Sequence, residues 1–482
     1  MSAPELLRPC ERPAKPSRRE ALLRSRDLLL ASLATPALPL LSSPAAAATA
    51  ASAVTVMHGF ADLQGITLWL QGARAQPVRV ELRPEAGTKA PILVNAELDA
   101  RTDCAAAVRI DDLDSGTAYR YTVHPRAGRE VLASGTFRTQ THWQYRTDPP
   151  TIRIATGSCN YLNDGRYDRP GTPYGGGETI FDAIAATAPD LMLWLGDNIY
   201  LRDPEWTSRE GINRRYRFYR SHPSMKKLWQ AAPHVAIWDD HDFGPDDSDA
   251  SFVNRPWTLE MFRRYWPQPY APQPDGMYGM VTLGDVDIFM LDDRSYRYPN
   301  RWPAAAPEKA MYGATQMQWL KAALVYSRAP FKLVAGGTQF FNKVSRAEPG
   351  ARYRGETWSN FPAEQEGLRK FLDETRIPGV VFLSGDRHLA QMFRIERGAL
   401  YPLHELTTSP LTAGPIKEPG EAERNNPDMV PGTMYNDRNF ALITVTGPRT
   451  KRAMAIELRD TAGNKVWEWQ ATAAQLAEGT RP

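Results

Sequence analysis

Six short, predominantly apolar runs, each followed by polar residues, constrain the fold of this chain more than any other feature of its sequence. They are Ile152–Thr156, Leu191–Leu195, His234–Trp238, Val286–Leu291, Lys332–Ala335 and Gly379–Leu383. Runs of this length without a polar face are typical of strands that are buried on both sides. Amphipathic stretches such as Glu178–Thr187 and Thr315–Tyr326 separate them. This alternation predicts an α/β fold whose functional residues lie at the strand ends.

The region before these runs has a different pattern, in which apolar and polar residues alternate. Its runs are Ile66–Leu70, Val78–Leu82, Tyr119–Val123 and Gly135–Thr139. Period-two alternation predicts antiparallel strands. The segment Leu113–Tyr121 is similar to the tyrosine corner of fibronectin and immunoglobulin-like sandwiches. We therefore expect a small all-β, fibronectin/Ig-like domain at residues 54–145, and an α/β domain at residues 146–482 that ends in further strands.

The charge balance excludes one broad class of partner. The chain has 58 Lys and Arg residues against 55 Asp and Glu residues. Residues 1–27 hold seven of the basic and four of the acidic ones, so the rest of the chain carries 51 of each sign. A protein that neutralises nucleic-acid phosphates or anionic membranes has a basic excess. We therefore do not expect nucleic-acid binding to be the main role of this protein.

The first 53 residues have the pattern of an export signal. Arg18 and Arg19 precede the uncharged run Leu28–Leu41, and small residues follow at Ala45–Ala53. The run is too short to cross about 30 Å of hydrocarbon comfortably, which favours a cleaved signal over a membrane anchor. The arginine pair favours the twin-arginine export machinery as a partner over the ordinary secretory route. We expect a periplasmic or secreted protein without a stable membrane span.

Five of the predicted strands end in residues that bind metals or protons. These endings are Gly157–Asn160, Gly196–Tyr200, Asp239–Asp242, Asp292–Arg294 and Gly385–His388. A single such ending is often only a helix cap or a turn. Five together are expected to converge along one edge of one sheet, because parallel strands end at the same edge.

Two of these endings predict an iron site. Asp197 and Tyr200 are three residues apart, a spacing at which one turn aims a carboxylate and a phenol at the same ion. Tyrosinate is a hard, basic ligand that favours ferric iron over zinc. Cys159 completes such a site as a thiolate; the alternatives are an inert buried thiol and a disulfide with Cys104.

The loop after Trp238 predicts a second cation. Six aspartates crowd it beside His241: Asp239, Asp240, Asp242, Asp246, Asp247 and Asp249. This density of negative charge is self-repelling without a cation, and oxygen-rich surroundings suit calcium or another hard divalent ion. The alternative is a solvated acidic turn.

These motifs, in this order, resemble the alkaline phosphatase D family of metallophosphoesterases and, more distantly, the purple acid phosphatases. The resemblance covers most of the chain, from the twin-arginine signal to the catalytic domain. It implies a four-layer αββα metallophosphoesterase sandwich that holds Fe3+ and Ca2+, with another divalent metal as an option at the second position. The implied reaction is hydrolysis of a small phosphate mono- or diester, for which two metals lower the pKa of a water and share the phosphate charge.

Site residues carry over from the resemblance by motif. Cys159 and Tyr200 correspond to iron ligands, and Asp197 to the carboxylate that bridges iron and calcium. Asp386 and His388 correspond to further members of the metal shell. Two positions depart from the family pattern, because Asp240 lies where related enzymes use Asn and Asp246 matches a position that is often Asn. The second-metal region therefore carries extra negative charge here.

Two residues are predicted to act on the substrate. His241 is expected to stabilise the transferring phosphoryl group or to protonate the leaving oxygen, and its alternative is to cap the acidic loop. The guanidinium of Arg294 suits a phosphate oxygen, and its alternative is an ion pair with Asp292 or Asp293. The Gly/Pro-rich segment Gly165–Gly177 is expected to form a mobile lid over the site.

Two other functions are consistent with the sequence. A phospholipase D-like phosphodiesterase on the same scaffold would need an apolar entrance, which the Trp-rich segment Trp257–Trp266 permits. A non-catalytic binding protein would use the same carboxylates to hold structural calcium. Metal-dependent release of p-nitrophenol from a phosphate ester distinguishes both enzymes from the binding protein.

Overall fold

The structure is a computed structural model, and it describes residues 54–479 apart from 169, 271–275, 304 and 344–354. The predicted export signal at residues 1–53 lies outside the described residues. In the part of the chain that is described, no helix is both long and apolar enough to cross a membrane.

The first seven strands form two small antiparallel sheets. They are β1 Val54–Ala61, β2 Ile66–Gly72, β3 Gln76–Pro84, β4 Ile92–Leu98, β5 Ala105–Ile110, β6 Ala118–Pro125 and β7 Ala133–Arg138. One sheet has the order β1-β2-β5 and the other β4-β3-β6-β7. Apolar side chains such as Leu68, Val80 and Tyr121 fill the space between them. The Tyr119 hydroxyl accepts a hydrogen bond from the Asp114 amide at 2.9 Å, which confirms the predicted tyrosine corner.

The remaining strands form two six-stranded sheets. They are β8 Ile152–Gly157, β9 Leu191–Leu195, β10 His234–Ile237, β11 Gly279–Leu283, β12 Val286–Met290, β13 Phe331–Ala335, β14 Val380–Ser384, β15 Gln391–Arg397, β16 Leu400–Thr407, β17 Asn439–Thr446, β18 Ala453–Asp460 and β19 Lys465–Thr472. The sheet orders are β10-β9-β8-β17-β18-β19 and β11-β12-β13-β14-β16-β15. Strands β9, β12, β13 and β14 are buried along their whole length, and both sheets contribute to one core. This explains why their sequences have no polar face.

The α-helices of the described residues lie in the connections between these strands. They are α1 Ile180–Ala186, α2 Arg209–Ser221, α3 Lys226–Ala231, α4 Asp240–Phe243, α5 Arg255–Tyr265, α6 Ala314–Tyr326, α7 Pro362–Thr375 and α8 Glu421–Arg424. Ser208 is the N-cap residue that precedes α2, and its side chain accepts a hydrogen bond from the Gly211 amide at 3.0 Å. It then presents Ile212, Tyr216 and Tyr219 to the core at helical spacing.

A buried polar network joins the first domain to the second. The Asp103 carboxylate accepts hydrogen bonds from Arg217 on α2 at 2.6 Å and from the Tyr265 hydroxyl on α5 at 2.6 Å. Gln71 on β2 donates to the same carboxylate at 2.9 Å. Since a buried carboxylate is costly unless it is paired and hydrogen-bonded, these contacts make the sandwich an integral part of the fold.

The strand prediction is confirmed in most places and wrong in one respect. Leu191–Leu195 is a strand as predicted, and the observed strands at Ile152, His234, Val286 and Phe331 begin within one residue of the predicted ones. The five polar endings, however, do not follow one sheet. Those after β8, β9 and β10 belong to one sheet, and those after β12 and β14 belong to the other. Apolar periodicity shows that a strand is buried but not which sheet it joins.

Candidate metal centre

The candidate site lies where strands of both six-stranded sheets end. Cys159, Asp197 and Asp239 each come two residues after their strands β8, β9 and β10, which run parallel. In the facing sheet, Asp386 comes two residues after β14. The shared offset brings side chains that are far apart in the chain to a common position between the sheets. Function at the strand ends is thus supported by the geometry.

Four of the predicted site residues have left-handed backbone conformations. The φ angles are 57° at Cys159, 51° at Asp197, 62° at Asp386 and 54° at His388. Non-glycine residues rarely adopt positive φ, which costs on the order of 1–3 kcal/mol each. Such conformations persist only where the surroundings enforce them, and they are concentrated at functional sites.

One group of side chains, which we call the thiol–phenol cluster, consists of Cys159, Asp197, Tyr200 and His388. The Tyr200 hydroxyl donates to Asp197 Oδ2 at 3.1 Å and lies 3.2 Å from His388 Nε2. The Cys159 thiol lies 3.5 Å from the same Asp197 oxygen. Potential ligand atoms of Cys159, Asp197 and His388 all lie within 4.8 Å of one another. One ion can contact a sulfur, a carboxylate, a phenol and an imidazole here.

The imidazole of His388 is oriented for metal binding. Its Nδ1 donates to the Gly414 carbonyl at 2.6 Å, which leaves Nε2 as the acceptor nitrogen facing Tyr200. A backbone carbonyl on the far nitrogen is a common way of fixing the tautomer of a metal-binding histidine. No motif of the sequence pointed to Gly414, which lies 26 residues after His388.

A second group, which we call the carboxylate cluster, consists of Asp239, Asp240, Asp247, Glu356 and Asp386. Oxygens of Asp239, Asp240 and Asp386 lie within 4.8 Å of one another, and so do those of Asp240, Asp247 and Glu356. Asp240 also lies within the same distance of Asp197 and His241, so Asp197 belongs to both clusters. Asp239 Oδ2 and Asp240 Oδ1 are buried and accept no hydrogen bond. Buried oxygens without a donor fit a site for a cation.

Two glycines allow the strand ends to approach Asp239 closely. A Cβ atom on Gly196 would lie 2.6 Å from the Asp239 Cβ, and one on Gly337 would lie 2.6 Å from its Cγ. Gly196 also has a φ of +87°, which disfavours any other residue. The glycine before the predicted ligand Asp197 therefore serves the packing of the neighbouring cluster.

Burial makes the ionised forms of these groups unfavourable without a cation. It raises the pKa of the Cys159 thiol to about 11, with the Asp386 charge acting in the same direction. Burial and the neighbouring Asp240 raise the pKa of Asp197 well above its usual range. Burial, with Glu356 and Asp240, raises the pKa of Asp386 to about 7. These groups become good ligands only when a positive ion stabilises their charge.

His241 lies between the two clusters. Its ring packs against the Tyr200 ring with centroids 4.1 Å apart, and its Nε2 lies 3.4 Å from Asp246 Oδ1. Its backbone amide donates to Asp197 Oδ1 at 3.2 Å. Burial lowers the pKa of His241, against the opposing influence of Asp240 and Asp246. The imidazole is partly exposed, so it can reach a molecule bound at the site.

Arg294 lies inside the protein rather than at an open surface. Its side chain is 0% exposed, and its guanidinium donates to Asp239 and Glu356. This geometry favours the alternative interpretation of Arg294 as part of an ion pair, but its partners are Asp239 and Glu356 rather than Asp292 or Asp293. Asp293 lies 3.8 Å away, and Asp292 instead accepts hydrogen bonds from backbone amides. A direct contact of Arg294 with phosphate stays a prediction without structural support.

The acidic loop divides into residues with different surroundings. The Asp246 side chain is 84% exposed and contacts His241, outside the clustered carboxylates. Asp247 belongs to the carboxylate cluster; it was predicted as one of the six aspartates of the acidic loop but not as an individual metal ligand. Glu356 was also missed, because no strand-end motif precedes it. Asp242 caps α4 and accepts the Asn198 amide at 3.1 Å, so its role is structural.

The segment Gly165–Gly177 is tied to the site at its end. Asn163 and Gly175 exchange hydrogen bonds at 3.0 Å in both directions, which closes the loop at its base. Tyr174 is 46% exposed, and its hydroxyl lies 3.2 Å from His388 Nδ1. A Cβ on Gly414 would lie 2.6 Å from this ring. The loop thus borders the thiol–phenol cluster; its mobility stays a prediction.

One alternative for Cys159 is excluded. Cys159 is a buried free thiol, so it forms no disulfide with Cys104. Cys104 lies in the core of the first domain. The sulfur of Cys159 is therefore available to the thiol–phenol cluster.

The architecture defines the class of protein. The solved structure of PhoD has a TM-score of 0.71 at 20% identity, covering 87% of this chain and 90% of that one. A purple acid phosphatase from yellow lupin (Lupinus luteus) seeds has a TM-score of 0.65 at 12% identity, covering 87% and 74%. These likenesses confirm the four-layer αββα fold of metallophosphoesterases, preceded by an all-β domain.

The sequence comparisons define the family. The profile of the PhoD-like phosphatases matches residues 154–447, more than half of the chain. The chain belongs to the PhoD-like phosphatase family, as its motifs indicated. Alkaline phosphatase D of Bacillus subtilis (strain 168) is 25% identical over 359 residues, which are 65% of this chain. The match spans 58% of the length of that relative.

Proposed function

We propose that this protein is a metal-dependent phosphoesterase that hydrolyses small phosphate mono- or diesters at the two clusters. In this proposal the thiol–phenol cluster holds Fe3+ and the carboxylate cluster holds Ca2+ or another hard divalent ion. The observation that carries it is the convergence of Cys159, Asp197, Tyr200 and His388 on one position. Membership of the PhoD-like phosphatase family and the similarity to alkaline phosphatase D support it.

The donor types fit the proposed ions. A thiolate, a phenolate and a carboxylate provide up to three negative charges, which suits a trivalent ion. The buried oxygens of Asp239 and Asp240 that accept no hydrogen bond suit an oxygen-seeking divalent ion. Asp197, which lies within reach of both groups, is the residue that would bridge the two ions.

The chain contributes position and charge to the reaction. Bound cations of this kind lower the pKa of a water and share the negative charge of phosphate oxygens. Ligand atoms of Asp197 and Asp240 lie within 4.8 Å of each other, so cations held by the two clusters would share the charge of one phosphate group.

His241 is the residue proposed to act on the substrate. Its imidazole is partly exposed beside both clusters, at a place where a leaving oxygen or a phosphoryl oxygen would approach. The His241 ring packs on the Tyr200 ring at an interplanar angle of 32°, which restricts its orientation. A positioned imidazole of this kind contributes about 10²–10⁴-fold to turnover.

A metal-exchange assay tests the proposed function. Release of p-nitrophenol from a phosphate monoester and a diester is measured before chelation, after treatment with a calcium chelator, and after Ca2+ is restored. We expect chelation to stop release and Ca2+ to restore it. Asp240→Ala removes the side-chain ligand and should lose this response, whereas Asp249→Ala, a matched change in the same loop outside the clusters, should keep it. Release that survives complete chelation, or its absence in the metal-loaded protein, would overturn the proposal.

The two alternative functions, a phospholipase D-like enzyme and a calcium-binding protein without activity, are distinguished in different ways. Trp266 is 1% exposed and Trp257 packs against the core, so the Trp-rich segment offers no apolar entrance for a lipid substrate. The same assay addresses a calcium-binding protein without activity, which would bind Ca2+ and release no p-nitrophenol.

Export to the periplasm or the medium is part of the proposal. It is based on Arg18 and Arg19 and on the apolar run that follows them. Changing both arginines to Lys keeps the charge but removes the pair, and should retain the protein in the cytoplasm. Unchanged export of this double variant, measured by cell fractionation, would leave only the ordinary secretory route.

A further inference from the structure

The hydroxyl of Ser409 lies between two members of the thiol–phenol cluster. Ser409 Oγ is 3.0 Å from Cys159 Sγ, and it accepts a hydrogen bond from the His388 backbone amide at 2.9 Å. Ser409 is 0% exposed, so water does not compete for these contacts. It follows β16, a strand whose end was not among the selected motifs.

The hydrogen-bonding inventory assigns the direction of the Ser409 proton. A hydroxyl has one proton and two lone pairs. The oxygen of Ser409 uses a lone pair for the His388 amide, and its proton is directed to the Cys159 sulfur. Ser409 is thus the donor in the contact with sulfur.

A second serine beside the same sulfur differs in this respect. Ser158 Oγ lies 3.5 Å from Cys159 Sγ, but it donates its proton to the Thr408 carbonyl at 3.0 Å. Ser158 is also buried. The two serines therefore have similar burial and flank the same sulfur, while their protons go to different acceptors.

We propose that Ser409 is a positioning residue of the metal centre, whose hydroxyl hydrogen-bonds the Cys159 thiolate and holds His388 in register with it. This inference rests on the proposed iron site. Hydrogen bonds to a sulfur ligand withdraw electron density from it, and such bonds to the ligands set the reduction potential of the bound metal. Ser409 is expected to raise the Fe3+/Fe2+ potential and to move sulfur-to-iron charge transfer to shorter wavelength.

The experiment compares three variants of the iron-loaded protein with the unchanged protein. Ser409→Ala removes the donor, Ser409→Thr keeps a hydroxyl at the same position, and Ser158→Ala is the matched control. The measurements are iron content, the visible spectrum and the reduction potential by redox titration. These readouts follow the electronic state of the iron, which a change in packing alone does not alter in a fixed direction.

We expect Ser409→Ala to lower the potential and shift the sulfur charge-transfer band to longer wavelength. Ser409→Thr and Ser158→Ala should stay close to the unchanged protein. An unaltered band and potential in iron-loaded Ser409→Ala, or an equal shift in Ser158→Ala, would overturn the inference. An unchanged protein that binds no iron would instead overturn the proposed iron site, so the two failures are distinguishable.

Discussion

The two halves of the candidate metal centre are built in different ways. In the thiol–phenol cluster the ligand atoms of Cys159, Asp197 and Tyr200 contact one another. A hydrogen bond from Ser409 holds the Cys159 sulfur, and one to the Gly414 carbonyl holds the His388 ring. In the carboxylate cluster two buried oxygens, Asp239 Oδ2 and Asp240 Oδ1, accept no hydrogen bond. The first half is organised by its own side chains, whereas the second depends on counter-charge.

Arg294 explains part of this difference. It supplies positive charge to Asp239 and Glu356 within the carboxylate cluster, whereas no Arg or Lys in the described part of the chain forms an ion pair with Asp197 in the thiol–phenol cluster. Burial opposes the ionisation of Asp240, but His241 and Arg294 outweigh it and lower the pKa of Asp240. Asp240 is therefore ionised before a cation binds. Burial and neighbouring negative charges instead raise the pKa of Asp386 in the same cluster and of Asp197, so these two groups become charged when a cation is present.

The largest effect is expected when Asp197, the residue that belongs to both clusters, is replaced. Asp197→Ala should abolish activity and reduce the content of both metals, because Asp197 lies within 4.8 Å of ligand atoms in each cluster. Metal content by elemental analysis and p-nitrophenol release measure this. Loss of one metal with the other fully retained would contradict the bridging role.

The next largest effect is expected at His241, which lies between the halves. His241→Ala should keep iron and leave substrate affinity largely intact, while turnover falls by about 10²–10⁴-fold. The loss should be smaller for esters with good leaving groups if His241 supplies a proton. A defect that is independent of the leaving group would indicate phosphate stabilisation, and full activity would leave only the capping role.

Arg294 tests whether the carboxylate half depends on an internal counter-charge. Arg294→Met leaves Asp239 and Glu356 without their cation and should lower the free energy of unfolding by about 3–5 kcal/mol, as for other broken buried ion pairs. Arg101→Met is the control, since Arg101 is 82% exposed in its pair with Asp99 and should change the free energy by less than about 1 kcal/mol. Chemical denaturation measures both. Unchanged stability with a raised KM would show that Arg294 contacts the substrate.

The smallest effect is expected at Asp246. Its side chain is exposed, so Asp246→Asn should change the free energy of unfolding by less than about 0.5 kcal/mol. Calcium activation should also stay within error of the unchanged protein. Asp247→Asn should weaken calcium activation, because Asp247 lies in the carboxylate cluster. The reverse result would identify Asp246, as predicted from the sequence, and not Asp247 as the metal ligand.

The sequence predicted the thiol–phenol half better than the carboxylate half. Cys159, Asp197 and His388 each follow a buried strand within a few residues, so strand prediction alone placed them at the site. Glu356 follows no strand directly and reaches the cluster through tertiary folding. Neighbours such as Asp246 and Asp247 have the same chemistry, and the left-handed φ of 57° at Asp247 separates them. Sequence pattern does not specify that backbone choice.

Long-range pairing was the other feature beyond the reach of the sequence. An arginine after two aspartates was expected to pair with one of them, but the strongest partners of Arg294 are 55 and 62 residues away in the chain. The sheet to which each strand belongs could not be predicted for the same reason, because a buried strand has the same apolar pattern in either sheet. Local periodicity was enough to predict an α/β domain, whereas the four-layer αββα arrangement was implied by the resemblance to metallophosphoesterases; both predictions are confirmed.

The proposed ferric iron site is tested most directly by the visible absorption of the purified protein, measured together with its elemental composition. Ferric iron bound by Tyr200 and Cys159 should give a coloured protein that contains iron, through charge transfer from ligand to metal. Tyr200→Phe should shift or remove this absorption while the fold survives. A colourless, active protein that contains zinc and no iron would contradict the account.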